Sequence, residues 1–451
     1  MSDTIVAIST KLGVGAISII RVSGDDAIFL VNKLFRGKNL TKVESHTINY
    51  GFINNGKEDI DEVLVTVMRS PKTFTREDIV EINCHGGIAT TLKIFDLLIE
   101  NGARRAEAGE FTKRAFLNGR IDLTEAEAVM DLIDSKTENS RKLALSSLEG
   151  SLKKYINIFR DKLKNVIANI EVNIDYPEYY DIEEVTKKEL KEIITDLEKD
   201  LKKLVRKSEE RQIIKNGIKT IIIGRPNVGK SSILNRFLKE EKAIVTDIEG
   251  TTRDIVEGSI IFDGIELSLI DTAGIRDTDN LAEKIGVEKS LSLIDKANLI
   301  IVVLNSSEEL TENDKFILDK VKDKNPIIVL NKNDLIKKID KDKLNFKHIV
   351  STNTNTLDGI EPLKEEIKSM FKLSEIKEDD YTYLANERQL SLAKKALKSL
   401  EDAKVSLESD EPVDIIEIDL KEVFDILGSI TGESYSDELL DELFANFCVG
   451  K

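Results

Sequence analysis

The sequence is poor in the residues that build metal centres and disulfide frameworks. Its 451 residues include two cysteines, Cys84 and Cys448, and three histidines. This set cannot supply the usual four-ligand zinc site, and it excludes a disulfide framework. The sequence has no run of about eighteen apolar residues, and its first residues lack the basic, apolar and small-residue order of a signal peptide. We therefore expect no membrane span and a cytoplasmic location.

Positive charge is also in deficit. The chain has 66 Lys and Arg residues against 83 Asp and Glu residues, which gives a net charge of −17. The negative electrostatic field of such a chain argues against indiscriminate binding of nucleic acid or membrane. An RNA partner would have to be held by its shape and by a limited set of contacts.

The first part of the chain, residues 1–118, mixes β-branched runs with helical spacing. Strands are predicted at residues 5–8, 16–20, 63–67 and 79–82, and a helix at residues 88–98. This pattern predicts a small α+β domain. The glycines at 13 and 15 are interpreted as a turn between strands, since no helix pattern follows them. His85, which precedes two glycines, fits either a catalytic histidine or a structural one, and the structural interpretation is favoured.

Helical patterns dominate residues 119–216 and 373–451. The segment Thr124–Glu127 has the form of a capping box before an apolar run. Apolar stripes at spacings of three and four continue through residues 190–205 and 390–407. We predict one helical domain in two parts, interrupted by residues 217–372, because insertion at a loop tip is physically easy. Two separate helical units are the alternative.

The segment Gly224–Ser231 fits G-x-x-x-x-G-K-[ST] between a β-branched run and an amphipathic segment. Such a strand–loop–helix unit turns backbone N–H groups around a phosphate at a helix N-terminus. Lys230 adds a charge near the β- and γ-phosphates, and Ser231 is left to bind magnesium. The residues of the loop and first helical turn predicted to bind the nucleotide are Asn227, Val228, Gly229, Lys230, Ser231 and Ser232.

Guanine selectivity is predicted from Asn331-Lys332-Asn333-Asp334, which follows a β-branched run. The Asp334 carboxylate can accept hydrogen bonds from N1–H and the exocyclic amine of guanine, whereas adenine offers no such pair. Ser351, Thr352 and Asn353 follow the next strand and are similar to the supporting base-contact loop of GTPases. Thr352 stands where alanine is more usual.

Two further segments match the nucleotide-sensing parts of GTPases. Asp271, Thr272, Ala273 and Gly274 fit the motif that holds magnesium through water and contacts the γ-phosphate. Ile275 follows, where Ras-like proteins carry the glutamine that orients water, so another group is needed. The acidic candidates downstream are Asp277, Asp279 and Glu283.

The segment Thr246–Asp254 lies where a first switch loop belongs, and Thr252 has the spacing of a magnesium ligand. Arg253 fits either an arginine finger in cis or, preferably, a salt-bridged switch residue. Because Asn227 has an oxygen close to the phosphates, switch-loop carbonyls could complete a site for a monovalent cation with it.

Taken together, these motifs resemble the TrmE-Era-Era-like group of GTPases. Two more stretches, Phe111–Arg120 and Phe447–Lys451, narrow the resemblance to the MnmE family of tRNA modification GTPases, over essentially the whole chain. The resemblance implies an α+β N-terminal domain (1–118) that dimerises and binds folate, an all-α helical domain (119–216 and 373–451), and an inserted α/β Ras-like P-loop GTPase domain (217–372).

The same resemblance implies a potassium-dependent GTPase. With the FAD protein MnmG, in a heterotetramer, it would add an aminomethyl or carboxymethylaminomethyl group to the wobble uridine of certain tRNAs. The one-carbon donor would be 5-formyl- or 5,10-methylene-tetrahydrofolate. The protein would be a homodimer.

The resemblance also assigns site residues. Potassium would be bound by Asn227, Thr246, Ile248 and Thr251, and magnesium by Ser231 and Thr252. Glu283 would position the attacking water. Folate would be bound by Arg21, Glu81, Arg120 and Lys451. The remaining GTP-binding positions would be Thr246, Thr251, Thr252, Asp271, Thr272, Ala273, Gly274, Asn331, Lys332, Asp334, Ser351, Thr352 and Asn353.

Two other functions fit parts of the sequence. One is a GTPase switch in ribosome assembly without one-carbon chemistry, although no Gly-x-x-Gly loop in an RNA-binding KH pattern follows residue 372. The other is a folate-binding sensor without transfer activity. Cys448 fits either a nucleophile or a small packing residue.

Overall fold

The computed structural model describes residues 3–175, 187–240, 242–244, 258–269, 294–356, 358–371, 373, 382–409 and 411–450. The chain divides into two compact units. The first contains Met1–Met130, Ser147–Leu201 and Ser391–Lys451, and the second contains Asp131–Ser146 and Lys202–Leu390. Among the described residues, no helix is both long enough and apolar enough to cross a membrane.

The strands, in chain order, are β1 (Ile5–Ile8), β2 (Ile17–Ser23), β3 (Phe35–Gly37), β4 (Thr47–Asn54), β5 (Asp59–Met68), β6 (Ile79–His85), β7 (Arg104–Arg105), β8 (Ile218–Ile223), β9 (Lys242–Ile244), β10 (Gly258–Phe262), β11 (Ile265–Leu269), β12 (Leu299–Asn305), β13 (Ile327–Asn331) and β14 (His348–Ser351).

The helices, in chain order, are α1 (Ala27–Leu34), α2 (Ile88–Glu100), α3 (Glu110–Leu117), α4 (Leu123–Asp134), α5 (Glu138–Leu148), α6 (Ser151–Asp175), α7 (Lys187–Asn216), α8 (Lys230–Glu240), α9 (Glu312–Val321), α10 (Glu361–Met370), α11 (Glu387–Glu408), α12 (Val413–Thr431) and α13 (Asp437–Ala445).

The first unit contains a seven-stranded sheet in the order β3-β4-β5-β6-β2-β1-β7. Its pairs are antiparallel except β1–β7, which is parallel. Alternate residues of each strand point to one face, and this face is buried with α1 and α2 in a shared core. The opposite face exposes the large apolar side chains Ile17, Ile48, Tyr50 and Leu64.

The helices before and after the nucleotide-binding segment pack together in the first unit. Helix α6 lies against α12, and Lys421 of α12 pairs with Glu171 of α6 at 2.6 Å. Lys404 of α11 pairs with Glu198 of α7 at 2.7 Å. The helical part is therefore one structure interrupted in sequence, and the alternative of two separate helical units is wrong.

The second unit contains a sheet in the order β14-β13-β12-β8-β11-β10-β9. Its first five strands are parallel, and β10 and β9 are antiparallel additions. Strands β12 and β13 are continuous apolar runs that are buried on both faces. Helices α8 and α10 share the core of one face, and α9 shares that of the other. The carboxyl ends of the parallel strands therefore meet at one edge, where ligands bind in such sheets.

Residues 131–146 belong to this second unit although they precede the predicted 217–372 segment. Leu143 is buried in the sheet core, and Lys136 pairs with Glu266 of β11 at 2.8 Å. The compact unit is thus larger than the segment that carries the nucleotide motifs. The four predicted domain ranges remain a prediction.

Candidate nucleotide-binding site

The loop between β8 and α8 has the backbone of a phosphate-binding loop. Gly224, Asn227 and Gly229 have φ of 151°, 61° and 105°, values in the left-handed region that favours glycine. A Cβ on Gly224 would lie 2.3 Å from the carbonyl oxygen of Val303. The glycine is therefore required by both backbone angle and space.

Lys230 begins α8 and turns back over this loop. Its Nζ donates to the carbonyl oxygens of Gly224 and Arg225, each at 2.8 Å. The ammonium is thus held at the N-terminus of α8, where the helix dipole also favours an anion. Ser231 and Ser232 follow in the first helical turn, and neither is fully buried.

Arg225 ties the same loop to the segment after β12. Its Nε donates to Asp314 at 2.9 Å, and a second nitrogen donates to Glu308 at 2.9 Å. The hydrogen bond from Arg225 lowers the pKa of Glu308 from its ordinary value. Asp314 is buried and also completes the capping box of α9 with Thr311. The phosphate-binding loop is therefore braced against a rigid helix start, a contact that the sequence alone did not indicate.

Asn331 joins the predicted guanine-binding segment to the phosphate-binding loop. Its Nδ2 donates to the carbonyl oxygen of Val228 at 2.9 Å. The hydroxyl of Thr352 donates to Asn331 Oδ1 at 3.1 Å. A Cβ on Gly229 would lie 2.0 Å from Asn331 Nδ2, so this glycine is also required by space. Three motifs that are distant in sequence therefore meet at the carboxyl edge of the sheet.

Asp334 lies at the surface of this edge, on the loop after β13. Its Oδ2 accepts a hydrogen bond from Asn355 Nδ2 at 3.3 Å. Lys332 has φ of 60°, and its carbonyl oxygen accepts from the Ser306 hydroxyl at 3.1 Å. Asn355 and Ser306 were missed in the sequence, where the only signal for Asn355 is its position in a polar loop beside Asn353.

The loop that contains Ser351, Thr352 and Asn353 is closed by a backbone contact. Asn353 N donates to the carbonyl oxygen of Gly359 at 2.9 Å. A side chain on Gly359 would collide with the Asn353 carbonyl oxygen. The predicted base-contact loop is therefore a compact turn next to Asp334.

Several predicted site residues lie outside the described part of the chain. They are Thr246, Ile248, Thr251, Thr252, Asp271, Thr272, Ala273, Gly274, Glu283 and Lys451. Of the predicted magnesium ligands the described part contains Ser231, and of the predicted potassium ligands it contains Asn227, which is exposed. Within the described ranges, no group of three or more His, Cys, Asp or Glu side chains is arranged to hold a metal.

The predicted folate residues of the first unit lie around a small aromatic cluster. Arg21 donates to Glu81 at 2.8 Å and to the carbonyl oxygen of Gly450 at 3.2 Å, and its guanidinium lies 5.7 Å from the Phe111 ring centre. The guanidinium of Arg120 lies 4.8 Å from the Phe74 ring centre. Phe74 packs against the buried cluster that contains Phe111, so both cations border the same apolar cluster.

The residues before Lys451 pass beside this cluster. Val449 forms an antiparallel bridge with Ala108, and Gly109 N donates to the carbonyl oxygen of Cys448 at 3.3 Å. Cys448 itself is exposed. The segment is thus held through its backbone rather than by packing of the cysteine.

The phosphate-binding loop, the Asn331–Asp334 segment and the parallel sheet that carries them define the second unit as a P-loop GTPase fold. Two family models together match nearly the whole chain. The model described as "GTP-binding protein TrmE N-terminus" matches residues 4–120, and "MnmE helical domain" matches residues 123–448.

Close relatives match over the full length. The tRNA modification GTPase MnmE of Streptococcus thermophilus is 53% identical over 450 residues, which cover 100% of this chain and 98% of that protein. The protein of the same name from Lactococcus lactis is 51% identical over 451 residues, with the same coverage. The chain belongs to the MnmE family of tRNA modification GTPases.

Among solved structures, the G domain of the T. maritima FeoB iron transporter is 30% identical. The match covers 34% of this chain and 98% of that one, with a TM-score of 0.26.

Proposed function

We propose that this protein hydrolyses GTP and, with the FAD protein MnmG, adds an aminomethyl or carboxymethylaminomethyl group to the wobble uridine of certain tRNAs. The observation that carries the proposal is the direct connection of the Asn331–Asp334 segment to the phosphate-binding loop, in a chain of the MnmE family. This connection supports a site in which Asp334 would bind guanine and the adjacent loop would bind the triphosphate at the same edge of the sheet.

The described residues support GTP as the substrate. Asp334 would accept two hydrogen bonds from guanine, and adenine would leave the carboxylate unpaired. Lys230 and the loop N–H groups would bind the phosphates. Magnesium, held by Ser231 and Thr252, would neutralise charge on the β- and γ-phosphates.

Hydrolysis requires a group that orients the attacking water, and the apolar side chain of Ile275 cannot do so. We assign this role to Glu283. A potassium ion bound by Asn227, Thr246, Ile248 and Thr251 would supply positive charge near the phosphates. The amide oxygen of Asn227 is a ligand type suited to such a cation, and the exposed position of Asn227 on the loop supports this assignment.

The first unit is the proposed site of a tetrahydrofolate. Glu81, with Arg21 hydrogen-bonded to it at 2.8 Å, would accept from amino groups of the ring, and Arg120 and Lys451 would bind the carboxylates of the glutamate tail. The partly exposed Phe74 ring, which lies under Arg120, offers an apolar surface of the kind that a flat ring system requires. The exposed apolar face of the first sheet supports a homodimer, because such faces are commonly covered by a partner.

Analysis of tRNA nucleosides tests the proposal. In cells that lack this protein, the modified wobble uridine should disappear, and the wild-type gene should restore it. Asp334→Asn should fail to restore it, because an amide cannot accept both guanine hydrogen bonds. An unchanged nucleoside profile in cells without the protein would refute the proposed function and favour a switch in ribosome assembly.

Potassium dependence has its own test. Replacing sodium by potassium should raise the GTP turnover of the purified protein by roughly tenfold or more, the scale expected for electrostatic stabilisation at a phosphate. Asn227→Ala should remove this difference, whereas Asn235→Ala, on α8 outside the phosphate-binding loop, should keep it. Equal rates in the two salts would remove the cation from the mechanism.

A further inference from the structure

Thr352 contacts the guanine-binding segment through three groups. Its backbone N donates to the carbonyl oxygen of Leu330 at 2.9 Å, and its carbonyl oxygen accepts from Asn333 N at 3.1 Å. Its hydroxyl donates to Asn331 Oδ1 at 3.1 Å. Because its backbone bonds reach residues on both sides of Asn331 and its hydroxyl reaches Asn331 itself, Thr352 holds the start of the guanine-binding segment at three points.

The Thr352 hydroxyl matters because its partner is buried. Asn331 and Thr352 each have 1% of their surface exposed. The carbonyl oxygen of Val228 can only accept, so it fixes which way the Asn331 amide points, with Nδ2 toward the phosphate-binding loop. The Oδ1 atom then faces inward and requires a donor, since a buried acceptor left without one is costly. The Thr352 hydroxyl supplies that donor.

We propose that Thr352 is a positioning residue for nucleotide binding, whose hydroxyl holds Asn331 in the orientation that joins the guanine-binding segment to the phosphate-binding loop. The inference rests on the proposed GTPase function and adds a side-chain role at a position where alanine is more usual. Its consequence is that the base-binding and phosphate-binding parts of the site keep a fixed spacing through one threonine hydroxyl.

The test compares Thr352→Val, which keeps the side-chain shape but removes the donor, with Thr352→Ser, which keeps the hydroxyl. Thr220→Val is the matched control. Thr220 is also 1% exposed, and its hydroxyl donates to the carbonyl oxygen of Ile218 at 3.0 Å within β8, away from Asn331. The measurements on the full-length protein are the dissociation rate of fluorescently labelled GDP, the KM and kcat for GTP, and the thermal midpoint.

Thr352→Val should raise the GDP dissociation rate and the KM for GTP by roughly tenfold to a hundredfold, as expected for a buried acceptor that loses its donor. The kcat should change much less, because the chemical step is not touched. Thr352→Ser should restore dissociation to within about threefold of wild type. If Thr352→Val does not yield folded protein, Thr352→Ala provides the test, with a smaller effect in the same direction because a water molecule can enter.

Two results would overturn the inference. One is that Thr352→Val releases GDP no faster than Thr220→Val at a similar thermal midpoint. The other is that Thr352→Ser is as impaired as Thr352→Val. In either case wild-type protein that still prefers GTP to ATP leaves the proposed function standing, whereas wild-type protein without that preference refutes the proposed function itself.

Discussion

At the scale of single residues, Asp61 is the hydrogen-bond partner that shifts the pKa of the exposed His85. Its Oδ1 lies 2.7 Å from His85 Nδ1, and its Oδ2 accepts from the His85 backbone N–H at 2.7 Å. The hydrogen bond to Asp61 raises the pKa of His85 above its ordinary value of 6.5. The sequence left open whether His85 is catalytic or structural, because Asp61 lies on a neighbouring strand. The Asp61 contact favours the structural interpretation.

Asp61→Asn should lower the pKa of His85 toward its ordinary value, as measured by NMR titration of the imidazole protons. In the wild type, the raised pKa means that the stabilising contact is fully present below pH 6.5 and is lost as the pH rises through the higher folded-state pKa. Glu62→Gln removes a weaker electrostatic influence on the same ring and should have a smaller effect. An equal shift in both variants would contradict the assigned role of Asp61.

At the scale of elements, the start of α4 differs from the sequence prediction. The predicted capping box began at Thr124, whereas the helix begins at Leu123 and the box is formed by Asp122 and Glu125. Asp122 Oδ1 accepts from Glu125 N at 2.8 Å, and Glu125 Oε2 accepts from Asp122 N at 2.7 Å. Thr124 is buried and donates to Asp122. Two overlapping patterns fit the sequence. Because the Thr124 hydroxyl donates to Asp122, Thr124 supports the earlier box instead of capping the helix itself.

Asp122→Ala should lower the free energy of unfolding by about 1–2 kcal/mol, because it removes the Asp122 carboxylate that accepts from Glu125 N. Asp122→Asn should cost much less, since asparagine is also a good cap. Urea unfolding followed by far-UV circular dichroism measures both. Equal losses in the two variants would indicate that the charge of Asp122, rather than its capping hydrogen bonds, is what stabilises the helix.

The sequence predicts a strand well where the strand's own residues form a clear β-branched run, and poorly where packing against distant residues decides. The run at 5–8 coincides with β1, and the runs at 63–67 and 79–82 lie within β5 and β6. Strand β4 was missed because it is partly polar and contains Gly51. That glycine is required by packing, since a Cβ there would lie 2.4 Å from the Phe35 ring.

The difference between local patterns and distant contacts also applies to the nucleotide-binding site. The phosphate-binding loop and the Asn331–Asp334 segment are contiguous motifs, so the sequence reveals them. The contacts of Asn355 with Asp334 and of Arg225 with Asp314 join distant segments, and no local pattern encodes them. Each contact joins segments that follow neighbouring parallel strands, so it depends on the order of the strands in the sheet.

At the scale of the whole molecule, the nucleotide-binding fold depends on a remote part of the chain. Residues 131–146 belong to the second compact unit, and Leu143 of α5 is 2% exposed within its core. A Cβ on Gly264, at the turn between β10 and β11, would lie 2.5 Å from Asn139 Nδ2. The GTPase fold of this protein is therefore completed by a segment that its nucleotide motifs do not include.

Leu143→Ala should lower the stability of the second unit by about 2–4 kcal/mol, since it leaves a cavity in a close-packed core. Leu145→Ala, at an exposed position of the same helix, should cost far less. The thermal midpoint with and without GDP measures the difference, and GDP should raise the midpoint of both variants. A similar loss in the two variants would contradict the packing of α5 against the sheet core.

The hairpin of β10 and β11 also fixes where two segments with proposed ligand-binding residues join the sheet. Gly258 pairs directly with Leu269. In the chain, Thr252, a proposed magnesium ligand, precedes Gly258, and Asp271, proposed to hold magnesium through water, follows Leu269. The described ends of the two segments, Gly258 and Leu269, therefore lie about 5 Å apart on one ladder. A ligand bound by the proposed residues of both segments would act on the sheet through this one residue pair.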